Sequence, residues 1–183
     1  MDSFESVVAQ ILERKGYWIR RCFKVNLTKE EKRAISRPSS PRWEIDILAY
    51  KASENEVLVV ECKSYLDSPG VSAIAFEEQH GASKSNLKLF VEPTLREVVL
   101  ARLSKQLIGA GLCADEPMIR LGLAAGHITT EVDRTKVRSI FALKGWELFD
   151  ENWMISELRA LANDGYEDLV PSVVAKLLLR GQV

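Results

Sequence analysis

Three ionisable residues interrupt two otherwise apolar stretches: Asp46 within Trp43 to Tyr50 (WEIDILAY), and Glu61 and Lys63 at the end of Val57 to Lys63 (VLVVECK). Both stretches are rich in β-branched residues and read as strands. Side chains alternate along a strand, so Glu61 and Lys63 share one face and Cys62 points to the other. If the two strands pair so that Asp46 lies near Glu61 or Lys63, two carboxylates and an ammonium meet on one surface. Ionised groups in such runs are costly unless paired or bound to a metal. Hard carboxylate oxygens suit Mg²⁺, which keeps several waters and completes its shell with a substrate phosphate. Phosphodiester hydrolysis needs charge neutralised on the oxyanion, hydroxide near neutral pH, and water aligned with the leaving oxygen. The trio supplies all three, with Lys63 orienting or deprotonating the water or stabilising charge on the phosphate. The plainer reading is a salt-bridged strand end in which Lys63 only pairs Glu61 or Asp46. An E-x-K tripeptide arises by chance about once in a chain of this length, so its meaning comes from the elements around it.

Those elements can be read from spacing. Phe4, Val7, Val8, Ile11 and Leu12 recur at helical intervals until Gly16, which marks a first helix. Tyr17 to Val25 reads as a strand, and the polar stretch that follows, as far as Arg42, reads as a loop because of its prolines and serines. Ala52 to Asn55 is turn-prone and makes a hairpin of the two apolar strands. Ser64 to Pro93 is a long excursion with a short helix around Val71 to Gln79. Thr94 and Glu97 form a capping-box pattern ahead of a helix carrying Leu95, Val98, Val99, Leu103 and Leu107, stopped by Gly109 and Gly111. Met118 to Ala125 reads as a buried strand, Arg134 to Lys144 as a helix, Trp146 to Phe149 as a short strand, and Ile155 to Ala162 and Ser172 to Arg180 as closing helices. The order is α-β-β-β-α-β plus C-terminal helices, an α/β class with a mixed β-sheet flanked by helices. One domain over residues 1–183 is expected, with a core of about 1–125 and an extension of about 126–183.

With 46% hydrophobic and 28% charged residues, the composition is that of an ordinary globular chain. No apolar run is long enough for a bilayer, so no membrane partner is expected. The acidic start Met1 to Glu5 lacks the features of a secretory signal, and the expected compartment is cytoplasmic. Cys22, Cys62 and Cys113 are odd in number and far apart, which argues for reduced, mostly buried thiols rather than disulfides or a thiolate zinc site. Only His80 and His127 are present, which excludes a His-rich metal cluster, and nothing near either supports a Ser-His-Asp triad. Net charge is −1, yet Arg14 to Arg42 holds ten basic residues against Glu30 and Glu31, a local excess of +8 available for phosphates or simply for solvent.

Asp46 followed at hairpin distance by Glu61-Cys62-Lys63, behind an amphipathic helix, resembles the PD-(D/E)XK nuclease superfamily. The resemblance covers roughly residues 1 to 125 and implies a restriction endonuclease-like core. It further implies that Asp46 and Glu61 bind Mg²⁺ with Mn²⁺ able to substitute, that the carbonyl of Cys62 joins them, and that Lys63 assists the attacking water. A glutamate on the first helix is often a further member, and Glu5 stands at the flank of that helix's buried stripe. Glu5 is equally placed to pair with Asp2 as a helix start. The implied activity is a metal-dependent endonuclease acting on DNA, held through the basic stretch Arg14 to Arg42, with a homodimer as one assembly. A catalytically inactive nucleic-acid-binding or partner module with the same fold is the alternative. Ile45 replaces the proline of the name-giving motif, which contributes no ligand. No Q-x-x-x-Y helix of the exonuclease-recombinase branch is present, although Gln106 stands where it could approach substrate. Glu44 shares the face of Asp46 and could support the site from behind its ligands, but the favoured expectation is an exposed strand start. Trp43, Tyr65, Trp146 and Trp153 are expected in the core rather than as base-stacking groups, with Tyr65 the first candidate for an exception because it directly follows the site.

Overall fold

Five strands, β1 (Trp18–Val25), β2 (Trp43–Lys51), β3 (Glu56–Lys63), β4 (Met118–Ala125) and β5 (Glu147–Phe149), form one mixed sheet in that spatial order. The computed structural model describes residues 2–39, 42–76, 87–165 and 167–179. The first three strands form an antiparallel meander, whereas β4 runs parallel to β3 and β5 parallel to β4. Helix α1 (Ser3–Arg14) precedes the sheet, α2 (Lys29–Ala34) joins β1 to β2, and α3 (Lys88–Val91) and α4 (Pro93–Gly109) carry the chain from β3 to β4. Helix α5 (Glu131–Lys144) connects β4 to β5, and α6 (Glu151–Asn163) and α7 (Val170–Leu179) follow.

Each face of the sheet is covered. On one, Leu95, Val99, Leu103 and Leu107 of α4 and Val137 and Phe141 of α5 pack on Leu48, Val57, Val59, Leu121 and Leu123. On the other, Phe4, Val8 and Leu12 of α1 meet Ile47, Ala49, Leu58, Val60 and Ala124, joined by Phe149 and Met154. Burial on both faces explains why β3 and β4 are nearly continuous apolar runs. The fifth strand and α6 come from the segment expected as an extension, and they complete this second core. Ile11 of α1 packs with Leu161, Ala162 and Ala175, which ties α6 and α7 to the first helix. No helix among the described residues is long and apolar enough to cross a membrane.

Several local expectations need correction. The polar stretch after β1 is not all loop: Thr28 and Glu31 form a capping box around α2, a helix with no buried residue and hence no apolar periodicity to reveal it. Thr94 does not cap α4. Glu92 holds the cap position without a side-chain bond and Pro93 takes the first turn, where a missing N–H costs nothing. Helix α5 starts earlier than expected because Thr130 accepts from Asp133 N, and α6 because Asp150 accepts from Trp153 N. The helix expected near residue 71 is a short 3₁₀ turn, Ala73–Phe76. Its expected continuation to Gln79 lies outside the described residues, as do His80 and the expected helix end at Arg180. Cys22 is exposed rather than buried. Trp43, Tyr65, Trp146 and Trp153 pack against the core: Trp146 stands edge-on to Phe90 and Phe141, and Trp153 lies 4.7 Å from the Phe149 ring.

The basic stretch is only partly free. Arg14 pairs with Asp164 and Glu167, Lys15 with Glu157, Lys24 with Glu44 and Arg37 with Glu92, so among the described residues intramolecular acids, most of them from distant segments, hold at least four of its cations. Gln106 serves the fold rather than a substrate. Its side-chain amide donates to Lys24 O at 3.0 Å and accepts from Asn26 N at 3.0 Å, sealing the end of β1.

Candidate metal centre

The Asp46 region begins with an irregularity that two strands share. On β2, Leu48 and Tyr50 face the α4 side and Ile47 and Ala49 the α1 side, yet Ile45 and Trp43 pack on the α4 side. Strict alternation therefore breaks at Asp46. Across from it on β1, Arg21 pairs with Ile47 and Phe23 with Ile45, leaving Cys22 between them at φ 51° and outside the ladder. A cysteine in the left-handed region is unusual and marks a kink. The kink keeps the register and stands directly opposite Asp46, where the alternation of β2 breaks.

The β2–β3 ladder runs from Lys51↔Glu56 to Ile47↔Val60 and stops there. Beyond it β3 continues against β4 alone, with Glu61↔Leu123, Cys62↔Ala124 and Lys63↔Ala125. In the fork so formed, Asp46 Oδ2 accepts the Cys62 backbone N–H at 2.7 Å, a bond the missing ladder would otherwise have supplied. Beside it Lys63 Nζ donates to Glu61 Oε1 at 2.6 Å, with both side chains largely buried.

The field in this fork is acidic. Burial raises the Asp46 carboxyl above its ordinary value, opposed by the Cys62 amide and the Lys63 ammonium. Glu61 is raised by burial and by Asp46 while Lys63 pulls it down. Glu5, half-buried in the first turn of α1, is raised by burial and then by Asp46. Desolvation works against the Lys63 charge, but Glu61 and then Asp46 outweigh it and raise its pKa. Each of the three acids is thus raised mainly by burial, with neighbouring carboxylates adding to the shift. Glu44, expected at the exposed strand start, is exposed and pairs loosely with Lys24 at 3.8 Å.

The Cys62 amide takes one oxygen of Asp46 and the Lys63 ammonium one oxygen of Glu61, and no partner among the described residues takes the other oxygen of either. Among the described residues no group of three or more His, Cys, Asp or Glu side chains stands close enough to hold an ion by itself. The oxygen donors that the fork does offer are the carboxylates of Asp46 and Glu61 and nearby main-chain carbonyls, hard ligands of the kind Mg²⁺ takes alongside water. Of the residues singled out from sequence, the fork unites Asp46, Glu61, the Cys62 main chain and Lys63, with Glu5 in electrostatic reach. Gln106 is not among them, because the end of β1 holds it.

The chain leaves the site through two tight points. Gly126, just beyond β4, donates its N–H to Lys63 O at 2.9 Å, and a Cβ there would lie 2.0 Å from Ser64 O. Only glycine allows this approach. Tyr65 then adopts φ 42°, turning the chain sharply away from the strand. Spacing marks neither residue; the sole signal for Gly126 is a glycine directly after a buried strand.

Compared with known proteins, the chain matches no protein-family model, and no curated protein or solved structure matches it significantly.

Proposed function

We propose that the chain is a Mg²⁺-dependent nuclease of the restriction endonuclease-like type that hydrolyses phosphodiester bonds in DNA. The observation that carries this reading is the fork itself: Asp46 bound to the Cys62 amide, beside the Glu61–Lys63 pair, at the open end of a β-hairpin. Asp46 and Glu61 would hold the cation, joined by the Cys62 carbonyl, and Mn²⁺ would serve in place of Mg²⁺. When bound, such an ion neutralises charge on the phosphate and lowers the pKa of coordinated water. Lys63, held by Glu61, is positioned to orient that water or to meet the developing negative charge. Glu5 adds a carboxylate from the α1 side. Cations of the Arg14 to Arg42 stretch without an acid partner among the described residues, such as Arg20 and Arg33, would contact the DNA backbone.

Purified protein in Mg²⁺ or Mn²⁺ should convert supercoiled plasmid to nicked and linear forms, and EDTA should stop the reaction. DNA binding that persists in EDTA, with no cleavage of plasmid, single-stranded or branched DNA in either metal, would favour the inactive binding module instead.

Metal affinity should also appear in stability. The raised carboxyl values of Asp46 and Glu61 mean that the folded state binds protons more tightly than the unfolded chain. Their stabilising contribution is present below the ordinary carboxylate range and is lost as pH rises through the raised folded values. At neutral pH both charges are carried at a cost that a cation bound only by the folded state offsets. At about pH 7.5, Mn²⁺ at roughly ten times its dissociation constant should raise Tm by about 3–6 °C, and the shift should shrink towards about pH 5 as protons compete. An equal shift in Asp46→Asn/Glu61→Gln protein would locate the cation elsewhere.

A further inference from the structure

A cavity of about 820 Å³ opens directly beside the fork, between the start of α1, the Ser64–Ser68 segment and α6. The fork residues themselves do not line it, but their immediate neighbours do: Phe4 precedes Glu5, Ser64 follows Lys63, and Gly126 is bonded to Lys63 O. Its volume falls in the range of ordinary small-ligand pockets. Phe4, Tyr65, Met154 and Leu158 give it a mainly apolar wall. Its charged lining is wholly acidic, from Asp2, Asp67 and Glu151, with no lysine or arginine among the described residues that line it. Glu151 uses Oε1 for Arg134 at 2.7 Å and for Ile128 N at 3.3 Å, while its Oε2 is buried without a partner.

Such a wall offers a phosphate no cation and accepts a flat apolar body whose edge carries N–H donors. A nucleobase has that chemistry: its face stacks on aromatic and aliphatic side chains, and exocyclic amino groups donate to carboxylates. A base locked in a duplex cannot reach the cavity while its phosphate lies at Asp46 and Glu61. An unpaired one can rotate in, and extrusion costs least where pairing is already absent. On the nuclease reading proposed above, we infer that this cavity receives the unpaired nucleobase next to the scissile phosphate. The preferred substrate is accordingly DNA with a bulged, mismatched or single-stranded nucleotide at the cleavage point.

The test compares, in Mg²⁺, a perfect duplex, the same duplex with a one-nucleotide adenine bulge, and one with an abasic bulge. The adenine bulge should be cut at the unpaired nucleotide roughly tenfold or more faster than the duplex, and the abasic bulge should lose that advantage. Leu158→Trp, which fills the cavity, should reduce the bulge to the duplex rate. It should leave the Mn²⁺-induced rise in Tm unchanged, which also establishes that the variant folds. The exposed wall position Ile155→Trp serves as a second filling variant. Equal cleavage of all three DNAs, or a bulge preference that survives both variants, overturns the inference and leaves the nuclease reading standing. Binding in Ca²⁺ of a bulge carrying 2-aminopurine reads the cavity without cleavage. A fluorescence change abolished by Leu158→Trp supports base binding even if no DNA is cut, and no change overturns it. A dimer lost in Leu158→Trp with substrate preference intact assigns the cavity to a second copy and overturns it as well.

Discussion

Replacing Asp46 or Lys63 with alanine should lower the rate of DNA cleavage by about a thousandfold or more, the size of effect seen when a charge-stabilising or proton-transferring group is removed. The two losses should differ in kind. Asp46 accepts from the Cys62 amide at 2.7 Å and is proposed as a ligand of the cation, so Asp46→Ala should lose activity together with the Mn²⁺-dependent rise in Tm. Lys63 touches Glu61 rather than the proposed cation, at 2.6 Å, so Lys63→Ala should keep the thermal shift and lose turnover. Asp46→Asn is the informative conservative change. Its amide oxygen can still accept from Cys62 N, and it removes a carboxylate that burial holds above its ordinary value. The metal-free Asp46→Asn protein should therefore be no less stable than the parent at neutral pH, while being as inactive as the alanine variant. Cleavage by both alanine variants at the parental rate would remove the site assignment altogether.

The second large effect concerns a residue that touches no substrate. Gly126→Ala places a Cβ 2.0 Å from the Ser64 carbonyl oxygen, and a backbone atom cannot swing aside as a long side chain can. Either β4 or the segment after Lys63 must shift, at a cost of about 3 kcal/mol or more and a fall in Tm of roughly 6–12 °C. Because Gly126 N also holds Lys63 O, the displacement falls on the lysine. A misplacement of about 1 Å at a reacting group costs on the order of a hundredfold in rate, so activity should fall further than the loss of folded protein explains. Gly109→Ala is the matched control: no atom lies within 4 Å of its added Cβ, and its helical position favours alanine. An equal response in both variants would mean that the contact with Ser64 is not what matters at Gly126.

Strong local patterns are readable from the sequence. Met118 to Ala125 emerges as β4 with the boundaries expected, and the hairpin that brings Asp46 towards Glu61 follows from two β-branched runs around a turn. The failures have definite physical causes. Helix α2 buries nothing, so its one signal is the Thr28–Glu31 capping box, whereas the similar pattern at Thr94 is overruled by Pro93. The break in alternation at Asp46 stands opposite Cys22 at φ 51°, a conformation no cysteine announces in advance. The charge of the Arg14 to Arg42 stretch can be counted along the chain, but its partners Asp164, Glu157 and Glu92 come from far away in sequence, beyond the reach of local reading. The apolar lining of the cavity likewise gathers α1, α6 and the segment after β3, elements whose proximity only the fold determines.

Gln106 bears on solubility. A sheet edge with unpaired amides and carbonyls invites another strand to add, and a protein that must stay dispersed needs its edges blunted. Here β5 is only three residues long, which leaves the eight-residue β1 as the vulnerable edge. The Cys22 kink interrupts it halfway, and the Gln106 amide occupies the main-chain groups of Lys24 and Asn26 that an incoming strand would use. The same break in regularity that stands opposite Asp46 thus also shortens the stretch on which a fibril could be templated.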